Sequence, residues 1–151
     1  MRENGDVFPH QERFVDSLLE KHRLQGCEGN KCVQIDKLPT EDDIPILSTL
    51  WQLQSYSGEF NWLATRTRLD LSYYTSVLAS ACTKHKGWCY ELAQKIFRFL
   101  ASNREQGIVI TCSGDLLDLV AWSDAGYAGA DTRSQSGLVI AWGGSIIVWR
   151  S

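Results

Sequence analysis

Five cysteines and three histidines are the residues of this 151-residue chain that most readily bind transition metals. Cys27 and Cys32 form one close pair, and Cys82, His85 and Cys89 form a second cluster that begins fifty residues after Cys32. Paired ligands at short spacing are what a tetrahedral zinc site requires. Free thiols, several of them buried as small apolar groups, are the competing interpretation. We favour free thiols, because the second cluster brackets a predicted helix boundary.

A basic stretch lies in the middle of the chain, although the net charge of the whole chain is −3. Residues 66–104 contain seven basic and two acidic residues and carry a net charge of +5. One interpretation of this stretch is a phosphate-binding surface, because cationic side chains clustered on helices attract phosphates. The other is a helix face that is only solvated, and the charge distribution by itself favours this second interpretation. The candidate nucleic-acid-binding residues are Arg66, Arg68, Lys84, Lys86, Lys95 and Arg98.

Signatures of other common active sites are missing from the sequence. Gly126-x-x-Gly129 and Gly143-Gly144 are not followed by the Lys-Ser/Thr of a phosphate-binding loop, and no histidine lies near a Ser-Asp pair. The six tryptophans allow a base-stacking hypothesis. They fall, however, on apolar faces of predicted helices and strands, which favours core packing for most of them.

The hydrophobic periodicity predicts an α+β fold with helices in the first two-thirds of the chain. We expect a first helix that has Pro9 in its first turn and stops at Gly26, and a second helix over about residues 46–64. A third helix is predicted to begin with Asp70 as its N-cap. The fourth pattern, residues 88–100, keeps helical spacing through three turns and predicts one broad apolar stripe.

After residue 107 the period changes to that of strands. The predicted strands are residues 108–110, 116–122, 138–142 and 146–149. Gly143-Gly144-Ser145 suits a hairpin connection between the last two. This hairpin is apolar and the chain stops at Ser151, so we expect a truncated sheet with an uncovered edge.

Nothing in the sequence predicts a membrane protein. No apolar run approaches the roughly 20 residues needed to cross a bilayer. Residues 1–6 lack the apolar stretch of a signal peptide. We therefore expect an intracellular protein, in the cytoplasm or nucleus, without a membrane partner.

Four stretches of the chain, in the right order, resemble the Pol polyprotein of copia-type long-terminal-repeat retrotransposons. They are residues 10–22 (HQERFVDSLLEKH), 56–71 (YSGEFNWLATRTRLDL), 88–100 (WCYELAQKIFRFL) and 122–151, which open with WSDAGYAG. The similarity runs from about residue 8 to the end of the chain. This sequence departs from the family at Leu69, where proline is usual, and at Gly126, where a second acidic residue is usual.

The resemblance implies a fold and a division of the chain. Residues 8–106 would form the helical thumb and connection segment at the end of a reverse transcriptase. Residues 107–151 would begin a ribonuclease H-like domain and supply the first three to four strands of its sheet.

The resemblance also implies that Asp124 is a catalytic carboxylate and a ligand of Mg²⁺. Ribonuclease H chemistry needs two magnesium ions held between several carboxylates. By the family pattern the other carboxylates would follow Ser151, and the polymerase aspartates would precede Met1. Mg²⁺ is therefore expected only in the complete domain, and this chain is expected to catalyse nothing alone.

We expect a fragment that grips an RNA–DNA hybrid together with the rest of the Pol polyprotein, within a virus-like particle if the element is active. The alternative is a stand-alone nucleic-acid-binding or interaction remnant of a decayed element.

Overall fold

The computed structural model describes residues 5–35, 49–111, 114–115, 117–126 and 134–151. These residues form four α-helices, a short 3-10 turn and a three-stranded antiparallel sheet, which confirms the α+β class. The helices are α1 (Glu12–Lys21), α2 (Leu50–Arg66), α3 (Ser72–Ala81) and α4 (Lys86–Ser102). The strands are β1 (Leu119–Gly126), β2 (Gln135–Trp142) and β3 (Ser145–Arg150).

Helix α4 lies at the centre of the helical part, because its apolar residues recur at helical spacing and face the other three helices. Its predicted stripe is confirmed: Trp88, Cys89, Leu92, Ala93, Ile96, Phe97 and Leu100 are all buried. The Phe97 ring packs edge-on against Tyr56 and Phe60 of α2, with ring centres 5.2 and 4.7 Å apart.

Helix α1 is joined to α2 by packing and by a partly buried polar cluster. His22, just after α1, lies 2.8 Å from Glu59 through its Nε2, and Lys21 Nζ lies 2.5 Å from the same carboxylate. Burial raises the pKa of the neighbouring Tyr56 phenol. The first helix is confirmed, but both predicted ends are wrong. It begins three residues after Pro9 and ends at Lys21, five residues before Gly26.

The starts of α2 and α3 differ from the predicted ones. Thr49 caps α2, since its Oγ1 accepts a hydrogen bond from the backbone N–H of Gln52 at 3.3 Å. Residues 46–48 of the predicted second helix lie outside the described residues. The prediction that Asp70 caps α3 is wrong, because a 3-10 turn (Leu69–Leu71) comes first and the Asp70 carboxylate binds Arg68.

The sheet is an antiparallel meander in the order β1-β2-β3. Gly143 and Gly144 join β2 to β3 with φ angles of 54° and 77°, which glycine adopts without strain, so the predicted hairpin is confirmed. The predicted strand at residues 108–110 is wrong. Ile110 and Gly107 instead make isolated bridges to Val7 and His10.

The sheet contributes little to the main core, whose buried residues all lie between Val15 and Leu100. Its register places Leu119 beside Trp142 and Ile140 beside Val148 on one face. Much of that face is exposed. No helix among the described residues is long and apolar enough to span a membrane.

Candidate nucleic-acid interface

Two of the predicted phosphate ligands, Lys95 and Arg98, lie together on α4. They are three residues apart, so their side chains leave the same side of the helix, away from the buried stripe. The loop of residues 27–35 packs beside them. The backbone N–H of Asn30 donates to the Arg98 carbonyl at 3.1 Å, and Val33 is buried. The cations of α4 therefore face an anchored loop.

That loop brings a third cation, Lys31, to the same place. A groove of about 250 Å³ lies between the loop and the helix, and we call it the basic groove. Its lining residues are Asn30, Lys31, Cys32, Gln34, Lys95 and Arg98. Of these described lining residues three are cationic and none is acidic, a combination that favours anions.

The other predicted ligands do not join this groove. Lys84 lies in the turn before α4 and Lys86 is its first residue, while Arg66 ends α2. The C-terminal ends of α2 and α4 lie close together. Arg68, two residues after α2, donates through its Nη1 to the carbonyl of Asn103, the C-cap of α4, at 2.8 Å. A 17-residue helix is about 24 Å long between its terminal residues. The predicted cations are thus spread along the whole bundle.

Arg68 must be removed from the predicted interface, because its side chain is only 1% exposed. Its Nε and Nη2 donate to the Asp70 carboxylate at 3.0 and 2.8 Å. Its guanidinium also lies 5.4 Å from the centre of the Phe99 ring. Every side of this cation is occupied by protein, so it stabilises the fold and cannot contact a phosphate.

Asp124, the predicted magnesium ligand, is exposed on β1, opposite Gly137 of β2. Within the described sheet β1 is an edge strand. Asp124 borders a mainly apolar groove of about 300 Å³ beside Trp122, Val139 and Tyr73.

A metal ion does not fit this site as the structure describes it. Among the described residues no group of three or more His, Cys, Asp or Glu side chains could hold one. A single carboxylate does not hold two magnesium ions. Asp131, the next acidic residue after Asp124 in the sequence, lies outside the described residues. We therefore derive no metal-dependent step.

The four cysteines that the structure describes form no zinc site among themselves or with the described histidines. Cys27, Cys32, Cys82, Cys89 and His85 are all described, and they make no group that could hold a metal ion. The thiols of Cys82 and Cys89 are buried and point to backbone carbonyl oxygens of α3. The free-thiol interpretation describes these two correctly.

The prediction that most tryptophans pack in the core is wrong. Trp88 is buried and Trp149 is half-buried. The other four are exposed to the solvent: Trp51 (77%), Trp62 (48%), Trp122 (56%) and Trp142 (50%). For α2 the reason is that the buried face runs through Leu53, Tyr56 and Phe60, which leaves both of its tryptophans on the opposite side.

Sequence reasoning missed Lys31, because it lies in a polar stretch between two predicted helices that has no hydrophobic periodicity. A signal was present in two apolar residues of that polar stretch, Val33 and Ile35, which both pack against the core. An apolar anchor in a loop indicates that its neighbours are held against the fold.

Comparisons of the chain with protein-family models, with curated proteins and with solved structures found no match.

Proposed function

We propose that this chain is part of a retroelement reverse transcriptase–ribonuclease H and that its helical part binds an RNA–DNA hybrid through the basic groove. The observation that carries the binding proposal is the convergence of Lys31, Lys95 and Arg98 on one groove, whose described lining residues include no acidic side chain. The proposed ancestry rests on the four resembling stretches, which occupy α1, α2 with the 3-10 turn, α4 and the sheet.

The proposed contacts are with the phosphates of the hybrid. Lysine and arginine neutralise phosphates and release condensed counterions, which gives affinity without reading the sequence. A segment that follows a moving hybrid needs this kind of contact, since it meets every sequence in turn. Arg98 can bind a phosphate through two N–H groups, while the lysines act as point charges.

The proposed activity is binding and not catalysis. Among the described residues, Asp124 has no further carboxylates grouped with it, and a two-metal site requires several. The proposed role of the sheet is to continue into the nuclease domain in the complete polyprotein. Its three strands form an antiparallel meander, which is compatible with the opening of such a sheet.

The test is fluorescence anisotropy of a labelled RNA–DNA hybrid across a salt series. The Lys95→Gln/Arg98→Gln variant should bind roughly ten-fold more weakly at low salt, with a salt slope reduced by about 2, because two phosphate contacts are lost. The Lys84→Gln/Lys86→Gln variant is the charge-matched comparison. It removes the same charge from the other end of α4.

Two results would contradict the proposal. One is an equal loss of affinity in both double variants, which would mean that binding depends on total charge and not on the basic groove. The other is no hybrid binding at low salt by a wild-type sample whose circular dichroism shows it to be folded.

A further inference from the structure

One face of α2 carries large aromatic rings in contact with solvent. Trp51, Gly58, Trp62 and Arg66 are separated by seven, four and four residues. Eleven residues make about three turns, so the two tryptophans leave the same side of the helix about 16 Å apart. They are 77% and 48% exposed, and we call this face the tryptophan ridge. It points away from the core and therefore away from α4.

A cation lies on the ridge beside one of its rings. The guanidinium carbon of Arg66 is 4.7 Å from the centre of the Trp62 ring. This cation–π contact positions a planar positive charge next to a partly exposed aromatic surface. The pair combines the two features that bind unpaired nucleotides, a surface for stacking and a charge for the phosphate.

A groove of about 630 Å³ runs beside the ridge, between α2 and α3. On its floor and walls are small hydroxyl and amide side chains, which are Gln54, Ser57, Asn61, Thr65, Ser72, Thr75 and Ser76. Trp149, Arg150 and Ser151 close one end. The indole N–H of Trp149 donates to the Ala64 carbonyl at 2.5 Å and holds the end of β3 against α2.

The polar side chains of this groove favour a ligand with polar edges, and the arginine side chains in and beside it favour one that carries negative charge. None of the described residues that line it has a carboxylate side chain, while Arg150 lines it and Arg66 lies on the adjoining ridge. Hydroxyl and amide groups hydrogen-bond to phosphates, sugars and base edges alike. A duplex would not use the ridge, because its bases are already stacked on one another.

We propose that the tryptophan ridge and the α2–α3 groove bind single-stranded nucleic acid. The bases stack on Trp62 and Trp51, and the backbone lies along the groove between Arg66 and Arg150. This site lies on the opposite side of α2 from the α4 helix and does not depend on the basic groove.

The experiment measures anisotropy of labelled oligo(dT) and oligo(U) of about twelve nucleotides, which suits a stacking site of this kind. Trp62→Ala should weaken binding about ten-fold, and Trp62→Phe should retain most of it, because a phenyl ring still stacks. Trp142→Ala is the matched control. It removes an equally exposed tryptophan from the sheet and should change affinity less than two-fold. The ratio of the wild-type affinities for oligo(dT) and oligo(U) reports whether the site prefers DNA or RNA.

The same variants separate this proposal from the proposed hybrid binding. Lys95→Gln/Arg98→Gln should leave oligonucleotide affinity nearly unchanged, and Trp62→Ala should leave hybrid affinity nearly unchanged. The proposal is overturned if wild type binds neither oligonucleotide at low salt, or if Trp62→Ala and Trp142→Ala weaken binding equally. It is also overturned if a neutral oligosaccharide binds more tightly than either oligonucleotide. A further contradicting result is sedimentation of wild type as an oligomer that Trp62→Ala converts to a monomer, since the ridge would then be an interface between copies of the chain.

Discussion

Arg68 shows how burial changes the role of a single residue. Its type and position placed it among the phosphate ligands, yet it is enclosed by Asp70, the Asn103 carbonyl and the Phe99 ring. An arginine is buried only when its N–H groups are paired, and here the pairs connect the end of α2 to the end of α4. The residue therefore orients the two helices that carry the proposed binding sites.

Removing the carboxylate partner of Arg68 should destabilise the protein strongly. We expect Asp70→Ala to lower the free energy of unfolding by about 3 kcal/mol, because it leaves a buried guanidinium without its counter-charge. The matched control is Asp16→Ala, which removes the carboxylate of an exposed ion pair with Arg104 and should cost less than about 1 kcal/mol. Urea unfolding measures the loss in free energy of unfolding for both variants. Equal losses would show that the ion pair of Arg68 contributes no more to stability than a surface ion pair.

At the scale of elements, local patterns predicted those features whose cause is itself local. The stripe of α4 is confirmed because seven apolar residues at helical spacing can be buried only on one face. The β2–β3 hairpin is confirmed because two consecutive glycines allow the positive φ angles of a tight turn. The start of α3 was predicted wrongly because the Asp70 carboxylate has a stronger partner in Arg68 than the helix amides offer.

The β2–β3 turn gives a prediction at this scale. Gly143→Val should lower stability by about 1–2 kcal/mol, since a β-branched residue is strained at a φ of 54°. Gly143→Asn is the control and should cost much less, because asparagine is favoured at the first position of such turns. Amide hydrogen exchange in β2 and β3 compares the two variants. Equal protection of the strand amides in both would contradict the positive φ assigned to Gly143.

At the scale of the whole molecule, the main core belongs to the helices and the sheet adds few contacts to it. The buried cluster contains no residue after Leu100. Hydrogen bonds from Trp149 to Ala64 and from Gln135 to Ser76 link the sheet to the helices in the part of the chain that the structure describes. The predicted domain boundary after residue 106 stays a prediction, and residues 107–110 pair with the segment before α1.

A chain of residues 1–110 should therefore fold without the sheet. We expect its circular dichroism to show the helices and its thermal unfolding to stay cooperative. The melting temperature should fall by no more than about 10 °C, since the two hydrogen bonds contribute about 1 kcal/mol each. The full-length chain is the reference. A shorter chain that shows no helix signal would mean that the sheet is required for folding of the helical part.

The sequence by itself determined the α+β class, the α4 stripe and the final hairpin, because each follows from the pattern of a continuous segment. Only the tertiary structure decided that Arg68 is buried, that Lys31 reaches α4 and that Trp62 faces solvent. The physical reason is that periodicity marks which residues share a face. Whether that face is covered depends on elements distant in the chain, and on the loops that hold them together.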